Sequence, residues 1–202
     1  ANVVYSTVQG LKKLSDRASE IAIVSDGTKG ASGLSAYAKE VDQLLEEAVR
    51  LSNAKHRDIY IFSGTKGTTA AYTATRTDEK ITSVTFGGNT STTKVDIGPE
   101  ASVNANHSAE GANGILKTNT AGTDFIANLI SLRNDIETAA SDSSTEAQKT
   151  AALSNIKDTG IGNLDKSELN FIDHFSSLGA TLSRLETSQT MITQQISAIE
   201  PL

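Results

Sequence analysis

The strongest constraint on this fold is a stripe of apolar residues between Asn163 and Ile199. Phe171, Phe175, Leu178, Leu182, Leu185, Gln189, Ile192, Ile196 and Ile199 follow one another at steps of three and four, with Gln189 the single polar member. Leu164 extends the stripe one heptad upstream. A period of about 3.5 residues describes a helix whose narrow seam faces one or two partner helices, as in a coiled-coil bundle. Such a helix is roughly 55 Å long, too long for the interior of a compact globule of this size. It needs partners along its length, and the chain has to supply at least one. The expected shape is a rod.

Candidate partners lie on both sides of a central region without helical period. Residues 2–25 place Val4, Val8, Leu11, Leu14, Ala18 and Ile21 on one helical face. Asp26-Gly27 breaks that pattern, and Gly27, Gly30 and Gly33 form a flexible connection. A second helix is predicted over 31–55, where Leu34, Val41 and Ala48 repeat every seven residues, as do Tyr37, Leu44 and Leu51. Ala38 and Leu45 widen this face beyond a two-helix seam, which suits the middle of a bundle. Helical pattern returns at Asp124, with Phe125, Leu129, Leu132 and Ile136 on one face. Ser143 and Glu146 have the form of a capping box, predicting a helix from near Thr145 to about Asp158, ended by Gly160 and Gly162. Pro201 is expected to close the long helix.

Composition shifts at Asp58. Ile59-Tyr60-Ile61-Phe62 is a short β-prone run stopped by Ser63-Gly64, and Thr, Ser, Gly and Asn dominate from there to about residue 120. The runs 72–76, 80–86, 93–97 and 102–106 read as short strands, with Gly87-Gly88-Asn89 as a hairpin turn between two of them. The expected fold class is therefore α+β: an elongated α-helical, coiled-coil-like rod formed by the N- and C-terminal helices, with a small β-rich inserted domain. The expected division is 1–57 and 122–202 for the two parts of the rod and 58–121 for the insertion.

Charge and motifs bound the function. The chain of 202 residues carries a net charge of −6 with no basic run, which argues against nucleic acid or an anionic membrane as partner. No apolar run approaches the roughly 18 residues of a membrane span, and no signal-peptide pattern is present. Cysteine is absent, which removes disulfides and thiol chemistry. The sequence begins at Ala1 inside a helical pattern and its only methionine is Met191, so a fragment of a longer protein is expected. His56, His107 and His174 are far apart in sequence and lack a metal-ligand spacing such as H-E-x-x-H. Gly64-Thr65-Lys66-Gly67-Thr68 lacks the spacing of a phosphate-binding loop. Asp16, Glu20, Glu46 and Glu47 are carboxylates of helix surfaces. No enzyme activity, cofactor or metal is expected.

Where charge is missing is more informative. No charged residue occurs between Glu186 and Glu200, nor within residues 1–11. Helix faces meant for water usually carry Lys and Glu, whereas hydroxyl and amide groups are cheap to desolvate and can bond a neighbour. Both ends are suited to burial in an assembly; the alternatives are plain polar surface, or packing on one another within the chain.

Several stretches carry a family likeness. Leu11 to Gly33 (LKKLSDRASEIAIVSDGTKGASG), Ala36 to Leu51 (AYAKEVDQLLEEAVRL) and Leu178 to Glu200 (LGATLSRLETSQTMITQQISAIE) resemble the rod helices of the bacterial flagellar axial proteins. That family comprises flagellin and the hook–filament junction protein, hook-associated protein 3. The motif Tyr60-Ile61-Phe62-Ser63-Gly64-Thr65 resembles the segment that opens the β domain in the junction protein, and Thr85 to Gly111 is similar to the insertion that follows. His56-Arg57-Asp58 stands where the junction protein usually has a glycine before the tyrosine. The resemblance implies a non-enzymatic structural subunit, the hook–filament junction first and flagellin as the alternative. It implies assembly with copies of itself and neighbouring axial proteins, and export of the full-length protein, with a chaperone, through the flagellar secretion channel to the cell exterior. It also implies terminal segments beyond this chain that form the inner tube. Outside the family, a secreted coiled-coil adhesin or injection-apparatus component fits the same pattern.

Overall fold

The computed structural model describes residues 2–98 and 101–199. Its elements are α1 (Asn2–Val24), α2 (Ala31–Ser52), β1 (Lys55–His56), β2 (Ile59–Tyr60), β3 (Tyr72–Thr77), β4 (Lys80–Phe86), β5 (Lys94–Gly98), β6 (Ala101–Asn104), α3 (Phe125–Ala140), α4 (Glu146–Asn155), a π turn (Ile156–Gly160) and α5 (Ile161–Ile199). The fold class is α+β, a helical rod with antiparallel β hairpins inserted between α2 and α3. Pro201, expected to close the last helix, lies outside the described residues.

The helices pack antiparallel in sequence order. Arg17 of α1 meets Glu40 of α2, Asp42 of α2 meets Arg133 of α3, and Asn155 at the end of α4 meets Asp135 of α3. Lys12 of α1 reaches Glu168 of α5, and Tyr5 stacks on Phe175 with ring centroids 4.3 Å apart. The two heptad series of α2 sort by depth: Leu34, Val41 and Ala48 are buried with Ala38 and Leu45, while Tyr37, Leu44 and Leu51 are half-buried at the flank. The core continues from the rod into the β part through Phe62, Ile81, Ile115, Leu116 and Phe125, whose ring meets Phe171 edge-on.

The second helix stops at Ser52, short of the expected 55, because Asn53 turns its side chain to the β part. Its amide donates to the Tyr72 carbonyl at 2.8 Å and accepts from the Tyr72 amide at 2.9 Å, standing in for a neighbouring strand. The capping box of α4 lies two residues beyond the expected pair. Thr145 caps the Gln148 amide, and the Gln148 side chain returns to the Thr145 amide.

The expected helix end at Gly160 and Gly162 is not there. One unbroken helix runs from Glu146 to Ile199, roughly 80 Å, and the glycines sit inside it at the π turn. The cause is arithmetic. Leu164, Phe171, Leu178, Leu185 and Ile192 are spaced by heptads, but Ile156 precedes Leu164 by one residue more than a heptad. A π turn absorbs one extra residue, which keeps both Ile156 and Leu164 in the core.

The β part consists of separate two-stranded antiparallel ribbons, β1/β2, β3/β4 and β5/β6. Gly87-Gly88-Asn89 is not a hairpin turn, as expected from the sequence, but the link between the second ribbon and the third. The tight turns fall instead at Arg57-Asp58, between His56 and its partner Ile59, and at Asp78-Glu79, between Thr77 and its partner Lys80. All of these turn residues have positive φ (51° and 62°, then 50° and 67°), the type I′ arrangement that matches the twist of a hairpin. Neither turn contains the Asn-Gly signal that marks such hairpins in a sequence, so both were hidden. The β3/β4 ribbon is strapped across the rod by ion pairs, Arg76 to Glu46 of α2 and Lys80 to Glu137 of α3. Among the described residues no helix is long and apolar enough to cross a membrane.

Candidate functional site

The Tyr60–Thr65 motif divides by depth. Phe62, Ser63 and Gly64 are buried and hold the β part together; Tyr60 and Ile61 are half-buried and Thr65 is exposed. The Phe62 carbonyl accepts from the Ala109 amide at 2.8 Å, the Gly64 amide donates to the His107 carbonyl at 2.8 Å, and the Ser63 hydroxyl donates to the Thr69 carbonyl at 2.6 Å. Gly64 has φ +63°, and a Cβ there would lie 2.1 Å from the Asn89 carbonyl oxygen. Only glycine fits. Asn89 closes the arrangement: its side-chain oxygen accepts from the Thr65 amide at 2.9 Å while its amide donates to the Thr65 hydroxyl at 2.8 Å. Lys55 covers the Tyr60 ring, its ammonium 4.4 Å from the centroid.

The seam divides along its length. Phe171 and Leu178 are buried against α1, and Phe175, Leu182 and Leu185 are half-buried. Gln189, Ile192 and Ile196 are exposed, the two isoleucines by 52% and 54%. This follows from the antiparallel register. With Lys12 opposite Glu168 and Tyr5 opposite Phe175, α1 ends level with Leu178, the last buried residue of the seam. The side chain of Ile199 lies outside the described residues.

Motif and seam meet in a groove of about 610 Å³. Tyr60, Ile61 and Gly64 form one wall, Leu182, Leu185 and Gln189 another, and Val3 and Val4 of α1 lie between. The β5/β6 ribbon leans on the same stretch of α5, where the Ser188 hydroxyl donates to the Ile97 carbonyl at 2.8 Å. Beyond Gln189 the same stripe continues as the exposed Ile192 and Ile196. Six of these wall residues were singled out in the sequence; their convergence was not visible there.

The histidines are closer than their sequence separation indicated. His107 lines the groove, and its pKa is pushed down to about 4, first by burial and then by the nearby His174. His174 is half-buried, with Nε2 3.2 Å from the Gly114 carbonyl oxygen. Burial lowers its pKa and the Gly114 contact partly opposes this. Burial favours the neutral ring at both positions. Among the described residues no group of His, Asp and Glu is placed to hold a metal ion. The groove is lined by apolar and polar side chains together, Val3, Val4, Ile61, Leu182 and Leu185 beside Asn106, Gln189 and the carboxylate of Glu186.

No family model and no curated protein sequence matches this chain. Solved structures do. They are structures of flagellar hook-associated proteins, and the likeness is one of fold. More particularly, the chain has the fold of hook-associated protein 3. It is similar over 99% of its length to 91% of FlgL from Xanthomonas campestris, with a TM-score of 0.79 at 13% identity. It is similar over 98% of its length to 88% of the flagellar hook associated protein-3 of Legionella pneumophila, with a TM-score of 0.76 at 12% identity. FlgL of Bacillus cereus gives a TM-score of 0.64 at 19% identity, covering 98% of this chain and 84% of that one.

Proposed function

We propose that this chain is the rod and β portion of a hook–filament junction protein, a non-enzymatic structural subunit of the bacterial flagellum. The observation that carries this reading is the agreement of fold along nearly the whole chain with hook-associated protein structures. The groove and the bare ridge of α5 support it, because they are contact surfaces that the chain itself leaves uncovered.

On this reading, 1–57 and 122–202 are the load-bearing rod and 58–121 is the insertion that faces neighbours or the exterior. The subunit links hook to filament by packing against copies of itself and against neighbouring axial proteins. Antiparallel helices with buried seams pass torque through side-by-side contacts, since a packed core deforms little under load. The full-length protein is exported to the cell exterior with the help of a chaperone and without a cleaved signal peptide.

The test uses the full-length gene product mixed with isolated hooks and examined by electron microscopy. Binding confined to hook ends, without elongation, is the expected result. Long filaments of this subunit alone would make it a flagellin, and binding to neither would overturn the axial reading.

A further inference from the structure

The long helix from Glu146 to Ile199 changes partner midway. Upstream, Ala152 and Ile156 are buried where α4 packs on α3; downstream, Leu164, Phe171 and Leu178 are buried where α5 packs on α1. The π turn lies at the hand-over. The Ile161 amide there donates to the Ile156 carbonyl, five residues back instead of four. Within the turn only Ile156 is buried, and Lys157, Asp158 and Thr159 are exposed. The polar contact beside it is weak, the Asn155 amide at 3.4 Å from the Asp135 carboxylate.

Two glycines make the turn softer than packing requires. A Cβ at Gly162 would meet nothing within 4 Å, and one at Gly160 would meet only the Asn155 carbonyl at 3.5 Å, an ordinary contact. Neither has positive φ. Alanine would fit at both, and glycine inside a helix costs roughly 0.5–1 kcal/mol relative to alanine. The sequence therefore keeps conformational freedom where no neighbour demands it. The helix opposite is also lightly tied. By the antiparallel register, Ser19 of α1 and Ser25 just past its end stand level with the turn, and their hydroxyls, like that of Ser15 one turn before Ser19, are buried without a hydrogen-bond partner among the described residues.

We propose that the π turn at Ile156–Gly160 is the mechanical joint of the rod, the place where the long helix bends while the stretches on either side move as stiff pieces. π turns are among the few identifiable causes of helix bending. Placed between two packed segments, such a turn lets each keep its own core contacts while their axes change angle. This inference goes beyond the flagellar reading and does not depend on it.

The native chain has no cysteine, so paired spin labels report without background. One pair, Ala151→Cys with Ala180→Cys, spans the turn at roughly 44 Å; a control pair, Asp165→Cys with Arg184→Cys, lies wholly in α5. The spanning pair is expected to give a clearly broader distance distribution than the control. Amide exchange, corrected for intrinsic rates, is expected to be at least about ten-fold faster over 157–161 than over 167–171. Gly160→Ala with Gly162→Ala, or deletion of Thr159 to restore heptad spacing, should narrow the distribution and slow that exchange. Equal widths for the two pairs, or protection at the turn matching its flanks, would overturn the joint. Both measurements on the unaltered turn decide the matter even if the deletion fails to fold.

Discussion

Gly64 lies so close to the backbone of Asn89 that any side chain there has a defined cost. Gly64→Ala places a methyl 2.1 Å from the Asn89 carbonyl oxygen on a backbone at φ +63°, so it combines steric clash with a left-handed alanine. The expected loss is about 3 kcal/mol in urea unfolding, from overpacking and backbone strain together. An unchanged midpoint would show that the loop can move aside. His107 predicts a pH dependence. Its pKa is about 4 in the fold and about 6.5 when unfolded, so between those values the unfolded chain binds the extra proton. Stability is therefore full above about pH 6.5 and falls as pH drops towards 4, by about 3 kcal/mol at most. His107→Gln should flatten the stability curve between pH 6.5 and 5, above the range where the paired carboxylates begin to protonate. A wild-type curve already flat in that window would refute the burial of this ring.

At the scale of elements, the two type I′ turns and the buried ion pair carry the predictions. Arg57 and Asp58 occupy left-handed backbone that Asn-Gly adopts more readily. Arg57→Asn with Asp58→Gly is expected to stabilise the chain by about 1 kcal/mol, read as a higher urea midpoint. Arg133 is 2% exposed and bonds Asp42 at 2.8 Å. Asp42→Ala leaves that guanidinium buried with only the Asn134 side-chain oxygen, and should cost about 2–3 kcal/mol, somewhat below a fully buried pair because Asp42 is partly wet. A loss under 0.5 kcal/mol would mean that water reaches Arg133 freely.

These elements also show what a sequence can and cannot reveal. Helix faces were legible because a 3.5-residue period survives in Val4 to Ile21, Leu34 to Leu51 and Leu164 to Ile196. Strands β3 and β4 were legible as well, but their turn was not, since Asp78 and Glu79 carry no sign of the left-handed backbone they adopt. Gly160 and Gly162 were misread as a helix end because propensity is a weak prior and packing on both sides overrode it. The eight-residue step from Ile156 to Leu164 was the available clue to the π turn. The groove was illegible because Tyr60 and Leu185 meet only through the fold.

For the whole molecule, the central claim is that the groove and the ridge beyond it are assembly surfaces. Tyr60 and Ile61 face Leu182 and Leu185 across the groove, and further along α5 Ile192 and Ile196 stand half in water. The claim is most directly tested by thiol labelling of the otherwise cysteine-free chain. Leu185→Cys and Ile192→Cys, with Arg184→Cys as an exposed reference, would be introduced singly into the full-length gene product. Each would be labelled with a maleimide, once free in solution and once bound to isolated hooks. Labelling at 185 and 192 is predicted to slow at least about ten-fold on binding, the protection expected of a desolvated interface core. Equal rates in the free and bound protein would contradict the account.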